Sequence, residues 1–361
     1  MTERRALFLG SGISVGPLVI DNDRWARVMN TSDEWIRERS GVEQRRFVHA
    51  GTGSSDLGIE ASQRALEDAG IEADEVDTIV CATMTPDHYF PGAGTLIQRG
   101  LGISPRPAYD LRQQCAGFAY GLQLVNALVR SGLARTVLLV GCDVHTSLMP
   151  FSQRTWETLL AEEPTRLDAL HDADEIAYND QYRHLLVLFG DGAGAFVFKA
   201  HEADDGRGLI GAELFGDGEH LDILHVPGLG SKRRPILDEE ALRTGDWVPV
   251  MDGRAVFKLA VTRMPEATRM VLENHGYGID DLSLLVMHQA NLRICEAAQK
   301  QLGLPDEKVF NNIQRYGNTT SATLPLAFHE ARQAGRAREG DLVAFTALGA
   351  GLHWGSALLR V

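Results

Sequence analysis

Three side chains far apart in the chain offer the most chemistry: a cysteine, a histidine and an asparagine. Cys115 stands in Tyr109-Asp-Leu-Arg-Gln-Gln-Cys115-Ala-Gly-Phe-Ala-Tyr120, after an extended, turn-like segment and just ahead of an apolar run, Phe118 to Val129. That run is apolar on nearly all sides, which predicts a buried helix. A cysteine in its first turn faces unpaired backbone N–H groups and the positive end of the helix dipole. Both favour thiolate over thiol. Gly117 lets a substrate or a second backbone approach. Taken alone, Cys115 reads either as a nucleophile or as a small core residue, which is what most free cysteines are. His288 directly follows the apolar strand Leu284-Leu-Val-Met287, and Asn318 follows Gly317. A single histidine in such a place is most simply a satisfied core residue.

What gives the three residues a joint meaning is an internal duplication. Leu66-Glu67-x-x-Gly70, Asp74, Val76 and Ile79-Val80 return at the same spacing as Leu272-Glu273-x-x-Gly276, Asp280, Leu282 and Leu285-Val286. After each strand come a helical stretch, then Leu101-Gly-Ile or Leu302-Gly-Leu, then Val137-Leu-Leu-Val140 or Leu342-Val-Ala-Phe345. The pattern predicts two similar βα halves packed together, divided here as 1–188 and 189–361. Cys115 and Asn318 then occupy comparable points, each between a strand and a helix, and His288 ends a strand. Sites in α/β sheets form beyond the carboxyl ends of strands, so a Cys, a His and an Asn can converge on one pocket from both halves.

The remaining features bound the chemistry. At 361 residues and 44% hydrophobic, the chain can bury a sizeable core. A net charge of -14 argues against a general nucleic-acid binder. Cys81, Cys115, Cys142 and Cys295 are scattered, without zinc-type spacing or a disulfide framework, which suggests a reducing cytoplasm. No apolar run is long enough to span a membrane, and the N-terminus does not read as a signal peptide. Gly10-Ser-Gly12 after the first strand is a poor dinucleotide fingerprint. Gly190-Asp-Gly-Ala-Gly194 lacks the Lys-Ser/Thr ending of a phosphate loop, and close packing of strand against strand is the expected reason for it. Thr31 or Ser32 is a candidate cap for a helix carrying Trp35, with Arg37, Arg39, Arg45 and Arg46 close behind. An aromatic plane beside guanidinium groups suits a nucleotide-bearing ligand. Residues from about 149 to 182 are polar and acidic and predict a helical insertion; residues 228–247 predict a surface excursion.

With these motifs in order, the chain resembles the β-ketoacyl-ACP synthase III family of the thiolase superfamily. The resemblance runs from about Leu7 to the C-terminus. It is carried by Thr31-Ser-Asp-Glu-Trp35, Phe90-Pro91, Cys115-Ala-Gly-Phe118, Phe189-Gly-Asp-Gly-Ala-Gly194, His288-Gln-Ala-Asn-Leu-Arg293, Gly317-Asn318-Thr319, Gly349-Ala-Gly351 and Trp354-Gly-Ser. It implies a five-layered αβαβα fold, a homodimer, and transfer of an acyl group from coenzyme A, as substrate, to Cys115. Decarboxylative condensation with a malonyl thioester on acyl carrier protein would follow, assisted by His288 and Asn318. The backbone N–H groups of Cys115 and Ala350 would form the oxyanion hole. Trp35 and Arg39 match the adenine end of the coenzyme A site; Arg183, Phe257 and Arg293 match pantetheine or phosphate contacts. Phe90 matches a residue that reaches the partner subunit's acyl pocket, and Lys258, Arg293 and Lys300 match the patch that docks acyl carrier protein. No redox cofactor, metal, nucleic acid or membrane is implied.

Gln113 and Gln114 stand where small residues are usual, Ser40 replaces a threonine, and Arg254 stands where asparagine is common. These departures surround the substrate entrance. They leave room for a second outcome on the same scaffold, in which Cys115 passes its acyl group to an alcohol or amine acceptor. A papain-like hydrolase also runs Cys, His, Asn in chain order, but the duplicated halves and the missing secretory signal speak against it. A subunit without catalytic activity would not need Cys115.

Overall fold

Both copies of the repeated motif close their helix in the same way. In the computed structural model, which describes residues 4–162, 173–202 and 205–361, Gly70 and Gly276 take left-handed φ values of 62° and 79°. The amide of Ile71 bonds back to the Leu66 carbonyl at 3.0 Å, and that of Tyr277 to Leu272 at 2.9 Å. Each is the glycine-terminated end that orphan helix carbonyls require.

From these helices the two halves build matching sheets. The first half holds β1 (Arg5–Val15), α1 (Asp33–Ser40), α2 (Ser54–Ala69), β2 (Thr78–Ala82), α3 (Ala93–Gly100), β3 (Ala108–Leu111), α4 (Gly117–Arg130), β4 (Thr136–Asp143), α5 (Gln153–Leu160), α6 (Ala173–Leu186) and β5 (Gly192–His201). The second holds β6 (Gly208–Gly216), α7 (Gly253–Asn274), β7 (Leu284–Met287), α8 (Leu292–Leu302), α9 (Thr323–Gln333), β8 (Leu342–Gly349) and β9 (His353–Arg360). The first sheet runs β1-β5-β4-β2-β3 and the second β6-β9-β8-β7. A parallel bridge from Leu285 to Val309 stands where β3 stands in the first sheet. In each sheet one outer and one inner pairing are antiparallel and the next is parallel, as β4 with β2 and β8 with β7.

Helices α4 and α9 lie between the sheets, and Phe118, Leu122, Phe196, Leu324, Phe328 and Phe345 join both sheets in one core. Helices α2 and α3 cover the far face of the first sheet, α7 and α8 that of the second. This is the expected five-layered αβαβα arrangement from duplicated halves. By sheet membership the halves divide after His201, not at 188/189. Strand β5 pairs with β1 on one side and β4 on the other, so it belongs to the first sheet.

Several glycines have packing roles. Gly10 and Gly12 sit within β1, where a Cβ would come within 2.5 Å of Ala69 or 2.4 Å of Ala61 on α2. Gly192 and Gly194 lie in β5 between β1 and β4, the expected packing of strand against strand, and Gly190 and Gly194 also give room to the Tyr316 carbonyl and to Pro325 of α9. The expected acidic insertion is helical in its described parts, α5 and α6; residues 163–172 of it lie outside the described residues. Among the described residues no helix is long and apolar enough to cross a membrane.

Candidate active site

Cys115 sits in a single 3-10 turn, Gln114–Ala116, that leads directly into α4. Gly117 allows this: a Cβ there would lie 2.9 Å from that of Ala82 on β2. Gly349, at the end of β8, presses on the same turn. A Cβ on it would come within 2.8 Å of the Cys115 and Ala116 nitrogens. The turn that carries Ala350 therefore lies directly against the Cys115 backbone, and both donors expected for an oxyanion hole come from adjoining segments.

His288 leaves β7 with its amide bonded to the Thr346 carbonyl at 2.8 Å. Asn318 is held by its backbone, which bonds to Leu188 at 2.7 Å and to Gly190 at 3.1 Å. Its Oδ1 accepts from the Thr320 amide at 2.9 Å, which commits that oxygen and leaves the Nδ2 protons for another acceptor. Cys115, His288, Asn318 and Ala350 all line one cavity of ≈ 1150 Å³. The three side chains are buried, at 7%, 3% and 4% exposure. The expected convergence from both halves is present.

The protonation states follow from that burial. Burial pushes His288 down to about 4, partly opposed by the Thr320 backbone, so the imidazole is neutral near pH 7 and its Nδ1 has no protein partner. Burial, with the Asp143 carboxylate, pushes Cys115 up to about 12. Its own backbone hydrogen bond and the helix end pull the other way.

Asp143 is a residue that sequence reading missed. Fully buried at the end of β4, its Oδ1 accepts from the Thr83 and Thr85 hydroxyls and from the Met84 and Thr85 amides, at 2.7–3.1 Å. Its Oδ2 accepts from the Ser321 amide at 3.0 Å and hydroxyl at 2.5 Å, and from the Thr320 hydroxyl. One carboxylate thus ties the first sheet to the turn that follows Asn318. The only hint in the sequence was a charge closing an otherwise apolar strand.

At the mouth, Ser32 caps α1 and Trp35 faces two guanidinium groups, Arg39 at 4.5 Å and Arg183 at 4.6 Å from its ring centroid. Asn291 caps α8 and donates to the Arg39 carbonyl at 2.7 Å, bringing Arg39 and Arg293 to one rim. Trp35, Arg39, Arg254, Phe257 and Arg293 line the cavity. Arg183 does not line it and meets it only through Trp35. Two arginines of the expected basic cluster serve the fold instead. Arg37 pairs with Asp33 and Glu43, and Arg45 is fully buried, donating to Asn22 and to the Ile20 and Val187 carbonyls. Lys258 on α7 and Lys300 on α8 are exposed and outside the cavity. Phe90, at 81% exposure, does not line this chain's own cavity and packs beside Tyr89 at 65%. Leu229, from the stretch expected to be a surface excursion, reaches back to line the cavity, and so do Met84, His145 and Leu148, which sequence reading passed over.

Comparison with known proteins agrees with this geometry. Residues 109–162 match the model for 3-oxoacyl-[acyl-carrier-protein] synthase III, and residues 272–361 match its C-terminal model. A β-ketoacyl-[acyl-carrier-protein] synthase III from Roseiflexus sp. (strain RS-1) is 40% identical over 355 residues, 98% of each chain. The crystal structure of 3-oxoacyl-(acyl carrier protein) synthase III from Pseudomonas aeruginosa PAO1 superposes with a TM-score of 0.82 at 36% identity, over 99% of this chain and 98% of that one. The priming β-ketosynthase of the R1128 polyketide biosynthetic pathway superposes with a TM-score of 0.81 at 30% identity, over 100% of this chain and 98% of that one.

Proposed function

This chain belongs to the β-ketoacyl-[acyl-carrier-protein] synthase III family, and we infer that it performs that reaction with Cys115, His288 and Asn318 as its working side chains. It is an acyltransferase that condenses an acyl-CoA with malonyl-ACP to give a β-ketoacyl-ACP and carbon dioxide. The observation that carries the assignment of residues is the single cavity, buried at the Cys115 end and rimmed by Trp35 and arginines at the other.

In the first half-reaction the Cys115 sulfur attacks the acyl-CoA carbonyl, and its proton ends on the departing coenzyme A thiol. Burial raises the cost of a free Cys115 thiolate, so proton loss accompanies attack and does not precede it. The negative charge then sits on the carbonyl oxygen between the Cys115 and Ala350 amides, where fixed donors replace water. In the second half-reaction the malonyl C–CO2 bond breaks, and its electron pair passes into the thioester as an enolate. A neutral His288 and the Asn318 Nδ2 donate to that oxygen. The carbanion attacks the acyl-cysteine, the C–S bond breaks, and the sulfur leaves as thiolate and takes a proton from solvent.

Trp35, Arg39 and Arg183 are suited to the adenine end of coenzyme A, and Phe257 and Arg293 to its phosphates and pantetheine arm. Lys258, Arg293 and Lys300 supply exposed positive charge for an acidic carrier protein. The exposed Tyr89–Phe90 pair supports a homodimer in which a second copy covers these rings. The test is intact-mass measurement after incubation with acyl-CoAs, followed by malonyl-ACP. An acyl adduct on Cys115 that disappears with release of carbon dioxide is expected. An adduct that transfers without carbon dioxide release, or no adduct, contradicts the reading.

A further inference from the structure

His145 is a fully buried side chain in the cavity that this chemistry leaves unused. It lines the same cavity as Cys115 and stacks on Phe189 with ring centroids 3.5 Å apart and planes within 3°. Neither of its ring nitrogens has a hydrogen-bond partner in the protein. Burial pushes it down to about 3, slightly opposed by its own backbone, so it is a neutral ring with one donor and one acceptor.

The ring is firmly held. Its 3-10 turn, His145–Leu148, is anchored on one side by Val144, whose amide bonds to Ser54 at 3.0 Å and Thr85 at 2.9 Å. On the other side Thr146 donates through its amide at 3.0 Å and its hydroxyl at 2.8 Å to buried Asp191. Phe189, which it stacks on, is bridged to Asn318. The imidazole thus belongs to the buried wall of the cavity that Cys115 also lines, stacked on Phe189 and through it beside Asn318.

A plain alkyl chain lying against that wall would leave both nitrogens buried and unpaired, which a site selected for such chains has no reason to keep. We propose that His145 determines primer specificity, and that the acyl group preferred on Cys115 carries an oxygen function, a hydroxyl or oxo group near the thioester, that hydrogen-bonds to it. This rests on the condensing function above and goes further by naming the class of acyl group.

The test compares butyryl-CoA with 2-hydroxybutyryl-CoA and 3-hydroxybutyryl-CoA as primers, with malonyl-ACP, for the full-length enzyme and for H145L and H145Q. Because each ratio is measured within one protein, partial misfolding of a variant does not alter it. The wild type is expected to favour at least one hydroxylated primer by about 10-fold or more in kcat/KM, since a hydrogen-bonding site rejects the analogue that leaves it unpaired. H145L is expected to favour butyryl-CoA, and H145Q, which keeps a donor and an acceptor, to restore part of the original preference. A wild type that favours butyryl-CoA, or a ratio that H145L leaves unchanged, overturns the proposal while condensation itself stands. Failure of every primer to load Cys115 overturns both.

Discussion

Gln114 and Thr320 hold the same left-handed backbone, φ 50° and 53°, at matching points of the two halves. They are the non-glycine residues with positive φ among the described residues, and each opens a three-residue 3-10 turn that runs into a middle helix. The strain aims Cys115, next after Gln114, into the cavity. Its true counterpart is Ser321, whose hydroxyl is consumed by Asp143 and the Ala82 carbonyl; Asn318 lies three residues earlier. Duplication thus produced two elbows. One carries Cys115, and the other is sealed and follows Asn318.

Asp143 keeps the sealed elbow in place. D143N introduces an amide where the surrounding groups already donate. It is expected to lower stability by about 3 kcal/mol or more, read by urea unfolding, because buried donors lose their acceptor. A loss under about 0.5 kcal/mol, the range of an ordinary surface substitution, would mean that the network is not structural.

The two half-reactions should separate by mutation. H288A and N318A are expected to keep loading acyl groups on Cys115 by intact mass, while condensation with malonyl-ACP falls by about 100-fold or more for each. Equal loss of both steps would assign these residues to acyl loading as well.

Gly349 admits no side chain. G349A puts a methyl within 2.8 Å of the Cys115 nitrogen, so one of the two segments must shift. A drop in kcat of about 100-fold or more is expected, with a near-unchanged KM for acyl-CoA. Near-normal turnover would place the oxyanion hole elsewhere.

The pH behaviour follows from burial. With the thiol at about 12, alkylation of Cys115 by iodoacetamide should climb about tenfold per pH unit from 7 to 9. A plateau near pH 7 would mean that the helix end outweighs desolvation. His288, held at about 4 against an ordinary 6.5, favours the folded state fully above pH 6.5. That contribution is lost as pH falls from 6.5 to 4, where the unfolded chain takes up the proton first, and is on the order of 3 kcal/mol. Urea unfolding of H288Q should therefore lose stability less steeply over this window than the wild type.

In the proposed reading Trp35 contacts ligand rather than reacting atoms. W35A removes the face shared with Arg39 and Arg183, and KM for acyl-CoA should rise about 3- to 30-fold with kcat little changed. A fall in kcat alone would point to a structural role for the ring.

The chain order of apolar strands, glycine stops and repeated motifs made both halves legible, along with Cys115, His288 and Asn318, because these signals are local or repeat at fixed spacing. Trp35 and Arg39 were legible for the same reason. Partners remote in sequence decided the rest. Strand β5 joined the first sheet because its edges bond to β1 and β4, and Arg45 left the ligand cluster because Asn22 and two carbonyls receive it in the core. Residue types at their spacings determined which atoms could react. Burial, which depends on the whole packed chain, decided that the Cys115 thiol is pushed up, that His288 is pushed down, and that His145 lines the cavity with both nitrogens unpaired.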